Sequence, residues 1–435
     1  MNSLARVLTR LDSFIAEIEV LEQSEFPYDA PRAALRWIKG WFCSLRKSSA
    51  ALGISPSADE VKEFANETLV MCEKYLPILG FMLRATNVRN GFEVVGPLRR
   101  LAEQLLLPDH AAEELGIQLI LSSEWEYMPM FRVAADLPRY VMIGLPAHES
   151  SNPLLYPLCG HELGHALWDR GGRDSIYFAK VRDGLDAVFR ERRREFVKVF
   201  PHFEKCPQPP ATVQGDLFAE SYDDIKFQTV QWAVMQAEES FCDFVGLRLF
   251  GRAYFLAYTH LLFPGNIGPR LPGYPNTVAR IQHMMTAFEA YGISKDGLSC
   301  DPFADRPGSK LPSDQLLMSF ADETVNKVVG DLIEDVDQAA KHAKIPPVDV
   351  AQVERIKAAF HYVVPSGSQA RLADILNAGW KVFEDDTFWV EYEHIHKDKV
   401  RILRDLLLKS IELIEVEEIR IEMEKRYAAP NRGDS

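Results

Sequence analysis

The chain has 435 residues, with 49 Lys and Arg against 63 Asp and Glu, and its formal net charge of −14 excludes a protein that grips nucleic acid through a global basic field. With 47% hydrophobic and 26% charged residues the composition is that of a globular protein, long enough for two or three structural units around a core of ordinary size. No apolar run reaches the roughly 20 residues that cross a bilayer, the first 22 residues interleave Arg6, Arg10, Asp12, Glu17 and Glu19 with apolar ones, and six cysteines are spread without a C-x-x-C pair, so the sequence predicts a cytoplasmic protein with no membrane partner.

The first hundred residues read as helices. Leu4, Val7, Leu8, Leu11, Phe14, Ile15, Ile18 and Leu21 recur at spacings of three and four, and a second helix follows Pro31 with Leu35, Ile38, Trp41, Phe42 and Leu45 on one face. Ser57 and Glu60 form a capping box ahead of a third helix, and after the turn signal Asn90-Gly91, Pro97 is placed to open a fourth that runs to about Leu107. From Gly116 the texture changes: Ile117 to Leu121 and Tyr140 to Leu145 are short β-prone runs that predict two or three strands of a small sheet. Helical pattern returns near Tyr156 and persists through Phe250, with a polar insertion near Cys206 to Gly215; Phe263 to Pro275 is a Pro- and Gly-containing loop. A Pro-rich connector follows, then helices at about 314–344, 348–362, 368–384 and 396–427. The Arg190 to Glu195 run reads as a solvated helix face in an acidic protein, not a nucleic-acid site.

Chemistry concentrates in Gly160-His161-Glu162-Leu163-Gly164-His165. His161 and His165 are four apart, so on a helix both imidazoles leave from one face and can hold a single zinc ion, while Glu162 reaches a water on that ion. Gly164 keeps the helix slim beside the metal, and Gly171-Gly172 supplies a stop. Downstream, Glu239 and Asp243 sit one turn apart inside an apolar helix with Phe241, Phe244, Val245 and Leu249. A helix that presents Glu239 as third ligand leaves Asp243 free to accept the other ring N–H of a ligating histidine.

H-E-x-x-H followed by E-x-x-x-D on a later helix resembles the signature of the gluzincin class of zinc metallopeptidases, typified by thermolysin-like enzymes. Tyr274-Pro275-Asn276-Thr277-Val278-Ala279-Arg280-Ile281 looks like the H-P-x-x-x-x-R-[IL] element that follows the third ligand in the CAAX prenyl protease group and related zinc peptidases. By that resemblance Arg280 lies near the Glu239 carboxylate, and Tyr274 stands where a histidine hydrogen-bonds the developing oxyanion; tyrosine can donate such a bond but has a different reach. His260 and His283, which flank the Tyr274 loop, are the alternatives for that role. The resemblance covers roughly residues 116 to 290 and leaves the helical flanks without a family. It also implies a strand beside the zinc helix that pairs with extended substrate, for which Tyr140 to Leu145 is the candidate.

Other candidates are weaker. His394 and His396 are two apart, the wrong spacing for one helix face, and Cys159 as a fourth ligand would close the position that catalysis needs. The expected fold is α+β, mainly α: a zincin-like core (111–300) with a small mixed β-sheet and an H-E-x-x-H helix, an N-terminal helical region (1–110), a linker (301–312), a C-terminal helical region (313–427) and a disordered tail (428–435). The expected function is a zinc-dependent peptidase acting on a peptide or protein substrate, with Zn²⁺ on His161, His165 and Glu239, Glu162 as general base, Asp243 orienting a histidine, and Tyr274 and Arg280 in the cleft. The alternative is a catalytically inactive zinc-binding regulatory or partner-binding protein.

Overall fold

A computed structural model describes residues 3–52, 57–85, 92–108, 116–124, 128–129, 137, 139–146, 151–204, 222–262, 270–298, 309, 311–367 and 369–428. In chain order the elements are α1 (Ser3–Glu22), α2 (Ala30–Ser48), α3 (Ala58–Arg84), α4 (Val95–Leu106), β1 (Gln118–Glu124), β2 (Met128–Pro129), β3 (Tyr140–Pro146), α5 (Cys159–Arg170), α6 (Arg173–Glu191), α7 (Arg193–Val199) and α8 (Tyr222–Phe250). They continue with α9 (Arg252–Leu262), α10 (Thr277–Ala290), α11 (Pro312–His342), α12 (Val350–His361), α13 (Leu372–Glu384), α14 (Glu393–Lys397) and α15 (Lys399–Ala428). The protein is mainly helical with one small sheet, as the periodicity predicts, and among the described residues no helix is long and apolar enough to cross a membrane.

The chain divides into two compact units, one of Met1–Glu103, His110–Pro153 and Ile411–Ser435, the other of Gln104–Asp109 and Leu154–Ser410. These borders differ from the segments expected from composition. The strands group with the N-terminal helices, and most of the C-terminal helical region groups with the H-E-x-x-H helix, because packing partners rather than chain order decide the grouping.

In the first unit α1, α2 and α3 bury Leu11, Ile18, Leu35, Ile38, Phe42, Tyr75, Phe81 and Met82 in one core, closed by Ile120 of β1 and Met142 of β3. The capping box forms as expected: the Ser57 hydroxyl accepts from the Glu60 amide at 3.2 Å and the Glu60 carboxylate accepts from the Ser57 amide at 2.7 Å. β1 and β3 run parallel, Gln118 opposite Tyr140 through Glu124 opposite Pro146, and β2 pairs antiparallel with β3 at Gly144 and Ile143, giving the order β1-β3-β2. Tyr28 covers β1, its hydroxyl accepting from the Leu121 amide at 2.8 Å. Since β3 is the middle strand, its second edge is already taken at Ile143 and Gly144. The expectation that Tyr140 to Leu145 offers a free edge to substrate fails there.

The second unit is built around α8. Every residue from Ser240 to Phe250 is buried, the polar Ser240, Asp243 and Arg248 included, so this half of the helix is enclosed all round by others, α5, α6, α9, α10, α11 and α13 among them. α5 crosses α8 closely because glycines meet it. A Cβ on Gly160 would come within 2.9 Å of Gly246 Cα, and one on Gly164 within 2.6 Å of Cys242 Cα. α5 stops at Gly171-Gly172 as expected: Gly172 takes φ 59°, and Arg173, paired with Asp335 of α11, donates to the Leu167 carbonyl at 2.7 Å. The Arg190 to Glu195 run joins α6 to α7, where Arg192 pairs with Glu195 and Glu323.

Several expected features lie outside the described residues: the Asn90-Gly91 turn, the insertion at 206–215 with Cys206, residues 263–269 of the loop, Cys300, most of the connector, and the tail from 429.

Candidate metal centre

Because α5 approaches α8 so closely, the side chains of its His161 and His165 meet the carboxylates of α8 directly. The two imidazole rings stand edge to face with centroids 4.9 Å apart, as the i, i+4 spacing predicts. Each ring has an acid near both nitrogens, with a hydrogen bond at Nδ1. His161 Nδ1 lies 3.0 Å from Asp243 Oδ1 and its Nε2 3.4 Å from Glu239 Oε2. His165 Nδ1 lies 2.8 Å from Glu238 Oε1 and its Nε2 3.7 Å from Glu239 Oε1.

Carboxylates accept, so with each Nδ1–H donated to Asp243 or Glu238 both Nε2 atoms face Glu239, where either a proton or a metal ion can lie. Unprotonated ring nitrogens facing a carboxylate would repel it, so positive charge is needed there, as a proton on a ring or as a cation. The electrostatics agree: burial opposes a charge on His161, yet hydrogen bonds and charge from Asp243 and Glu239 outweigh it and hold the ring up to about 10 from an ordinary 6.5. Burial would likewise raise Glu239, but His161 and Arg280 hold it down to about 2. A divalent metal satisfies this donor set without the proton.

Cys242 adds a third kind of donor. His161, His165 and Cys242 offer ligand atoms within 4.8 Å of one another and could hold a metal ion. The thiol is fully buried, and burial followed by the neighbouring carboxylates pushes its pKa well above the ordinary range, so without a metal it stays protonated.

Behind the rings, Asp243 is the hub of a buried network. It accepts from Arg280 Nη2 at 2.8 Å and from Arg280 Nε, and from the Tyr254 hydroxyl at 2.5 Å. Burial works against its charge, but Arg280 and then His161 keep it ionised well below the usual carboxylate range. Arg280 also reaches Glu239 Oε2 at 3.3 Å and lies over the Tyr258 ring. Glu162 is buried beside this network, burial raises its pKa, and its Oε2 has no hydrogen-bond partner. An orphaned buried carboxyl oxygen needs an account, and a water or substrate donor supplies one.

The structure therefore brings His161, Glu162, His165, Glu239, Asp243 and Arg280 together. Tyr274 is half-exposed on a turn that seats on α8 just before Glu239: Gln236 donates to the Pro272 carbonyl at 2.8 Å, and Gly273 lies against Met235. His260 packs edge-on against Trp380 and Phe383, and His283 bonds Asn326 at 2.6 Å with its pKa held down by burial. His394 is exposed on the short α14, where His396 Nδ1 lies 3.3 Å from the Phe388 carbonyl. Cys159 is buried at the start of α5.

Sequence reasoning missed Glu238, Cys242 and Tyr254. Glu238 carried a signal, since two consecutive acids in a strongly apolar helix both need partners. Tyr254 follows the left-handed turn at Gly251 and meets Asp243 only through the fold. No protein-family model, curated protein or solved structure matches the chain.

Proposed function

We propose that the protein is a zinc-dependent peptidase with a zincin-like core, in which His161, His165 and Glu239 hold the ion. The observation that carries this reading is the convergence of two imidazole Nε2 atoms on one carboxylate, with both Nδ1 atoms already committed to other acids. When bound, zinc supplies a Lewis acid that lowers the pKa of water and polarises a carbonyl oxygen. Glu162, its basicity raised by burial, takes the proton of the attacking water and returns it to the leaving amine. Asp243, clamped by Arg280 and Tyr254, keeps the His161 ring turned with Nε2 inward. Tyr274, or else His260 or His283, donates to the developing oxyanion. The substrate is a peptide or protein, and the cysteines among the described residues, Cys43, Cys72, Cys159 and Cys242, are free, which favours a reducing, cytoplasmic setting.

The test compares the proteins made by cells carrying wild type and Glu162→Gln, by profiling newly formed N-termini. Glu162→Gln retains the metal and loses cleavage by at least about 10²-fold, the lower end of what general-base catalysis supplies. Cleavage unchanged by the substitution would sink the assignment.

A second reading has its own observation. His161, His165 and Cys242 offer ligand atoms within 4.8 Å of one another, and a Cys242 thiolate joining the two histidines and Glu239 would complete four protein ligands with no position for water, the arrangement of a structural site in an inactive regulatory protein. Cys242→Ser decides between them: it keeps zinc and hydrolysis under the first reading and loses zinc under the second.

A further inference from the structure

We infer that Glu238 is the positioning residue of His165, fixing the ring so that its Nε2 faces the metal position. The inference rests on the zinc reading and extends it to a residue one position from the proposed third ligand.

Neighbouring residues on a helix point about 100° apart, so Glu238 and Glu239 do not share a face of α8. Both nevertheless reach His165, one at each ring nitrogen, Glu238 Oε1 at 2.8 Å from Nδ1 and Glu239 Oε1 at 3.7 Å from Nε2. Of the two only the 2.8 Å contact at Nδ1 is within hydrogen-bond distance, and with Glu238 accepting there it orients the ring and leaves Nε2 turned toward the metal position. Glu239 alone does not fix it, because Glu239 is shared with His161 at 3.4 Å. His161 has an equivalent partner in Asp243, itself held by Arg280 and Tyr254. His165 has Glu238, whose residue is only 3% exposed. A carboxylate this deep is costly unless its hydrogen bonds repay desolvation, and the short bond to Nδ1 is one of them. Without it the ring loses the 2.8 Å acceptor at Nδ1 that keeps Nε2 directed at the metal position.

The experiment measures zinc affinity by competition with a chelating dye for wild type, Glu238→Gln and Glu238→Met. Methionine has similar length and no comparable acceptor; the glutamine carbonyl still accepts from Nδ1–H. Glu238→Met weakens zinc binding by about 10- to 100-fold, the range for lost outer partners of a ligating histidine, and Glu238→Gln stays within about threefold of wild type. Equal affinity for Glu238→Met and wild type overturns the inference, and so does a Glu238→Gln loss as large as that of Glu238→Met, since that would make charge rather than orientation the cause. If Glu238→Met fails to fold, as thermal unfolding in excess chelator reveals, nitrogen NMR of the His165 ring in zinc-loaded wild type decides. A proton on Nδ1 with Nε2 metal-bound supports the inference, and the reverse overturns it. Wild type that binds no zinc removes the zinc reading itself, a different result from wild type that binds zinc as tightly as Glu238→Met.

Discussion

The two compact units treat charge in opposite ways. In the first, the cores of α1, α2 and α3 are apolar, and the buried acid Glu124 is answered by Arg84 at 2.8 Å and by Ser122. In the second, two crossing helices bury Glu162, His165, Glu238 and Asp243, with His161, Glu239 and Arg280 nearly as enclosed. Amphipathic patterning is enough to explain the first unit. It does not explain the second, where charged groups cost desolvation that well-packed apolar residues would avoid. The excess acid in one place is what the proposed zinc site would account for.

The comparison can be broken at its strongest point first. Asp243→Ala removes the hub and leaves Arg280 buried without its main partner, so denaturant unfolding of the metal-free protein loses about 3–5 kcal/mol; a loss below about 1 kcal/mol would mean the network adds little. Next comes pH. His161 stands at about 10 in the metal-free fold against 6.5 when unfolded, so its stabilisation is complete below pH 6.5 and disappears as pH rises through 10. The denaturation midpoint in excess chelator therefore falls across that window, and zinc, which replaces the proton, flattens the fall.

Gly164→Ala tests the close crossing, because its Cβ meets the backbone of Cys242. Overpacking of this kind costs about 1–3 kcal/mol, and the forced separation of α5 from α8 also weakens zinc binding. The smallest effect belongs to the first unit. Ser57→Ala removes a capping box at the start of α3 and lowers stability by about 1 kcal/mol, with zinc affinity unchanged.

What the sequence makes legible is what neighbours in the chain decide. The i, i+4 histidines, the Gly171-Gly172 stop, the Ser57 cap and the runs that became β1 and β3 are all local patterns, and the structure has each of them. Glu239 and Asp243 are also one turn apart on one helix, so their pairing with α5 was readable from motif and spacing. The partner of His165 was not, because Glu238 and His165 are 73 positions apart and meet only when glycines let α5 onto α8. The same holds for Tyr254 on Asp243 and for β3 as the middle strand, which depends on where β1 and β2 find their partners. Unit borders were the least legible feature, since the chain leaves the first unit and returns to it at Ile411.

The most direct measurement is the metal content of the purified protein by elemental analysis, on wild type and on Glu239→Ala. The account predicts one zinc per chain in wild type and loss of that zinc in Glu239→Ala. Wild type without stoichiometric metal, or Glu239→Ala that retains it in full, would contradict the centre proposed on His161, His165 and Glu239.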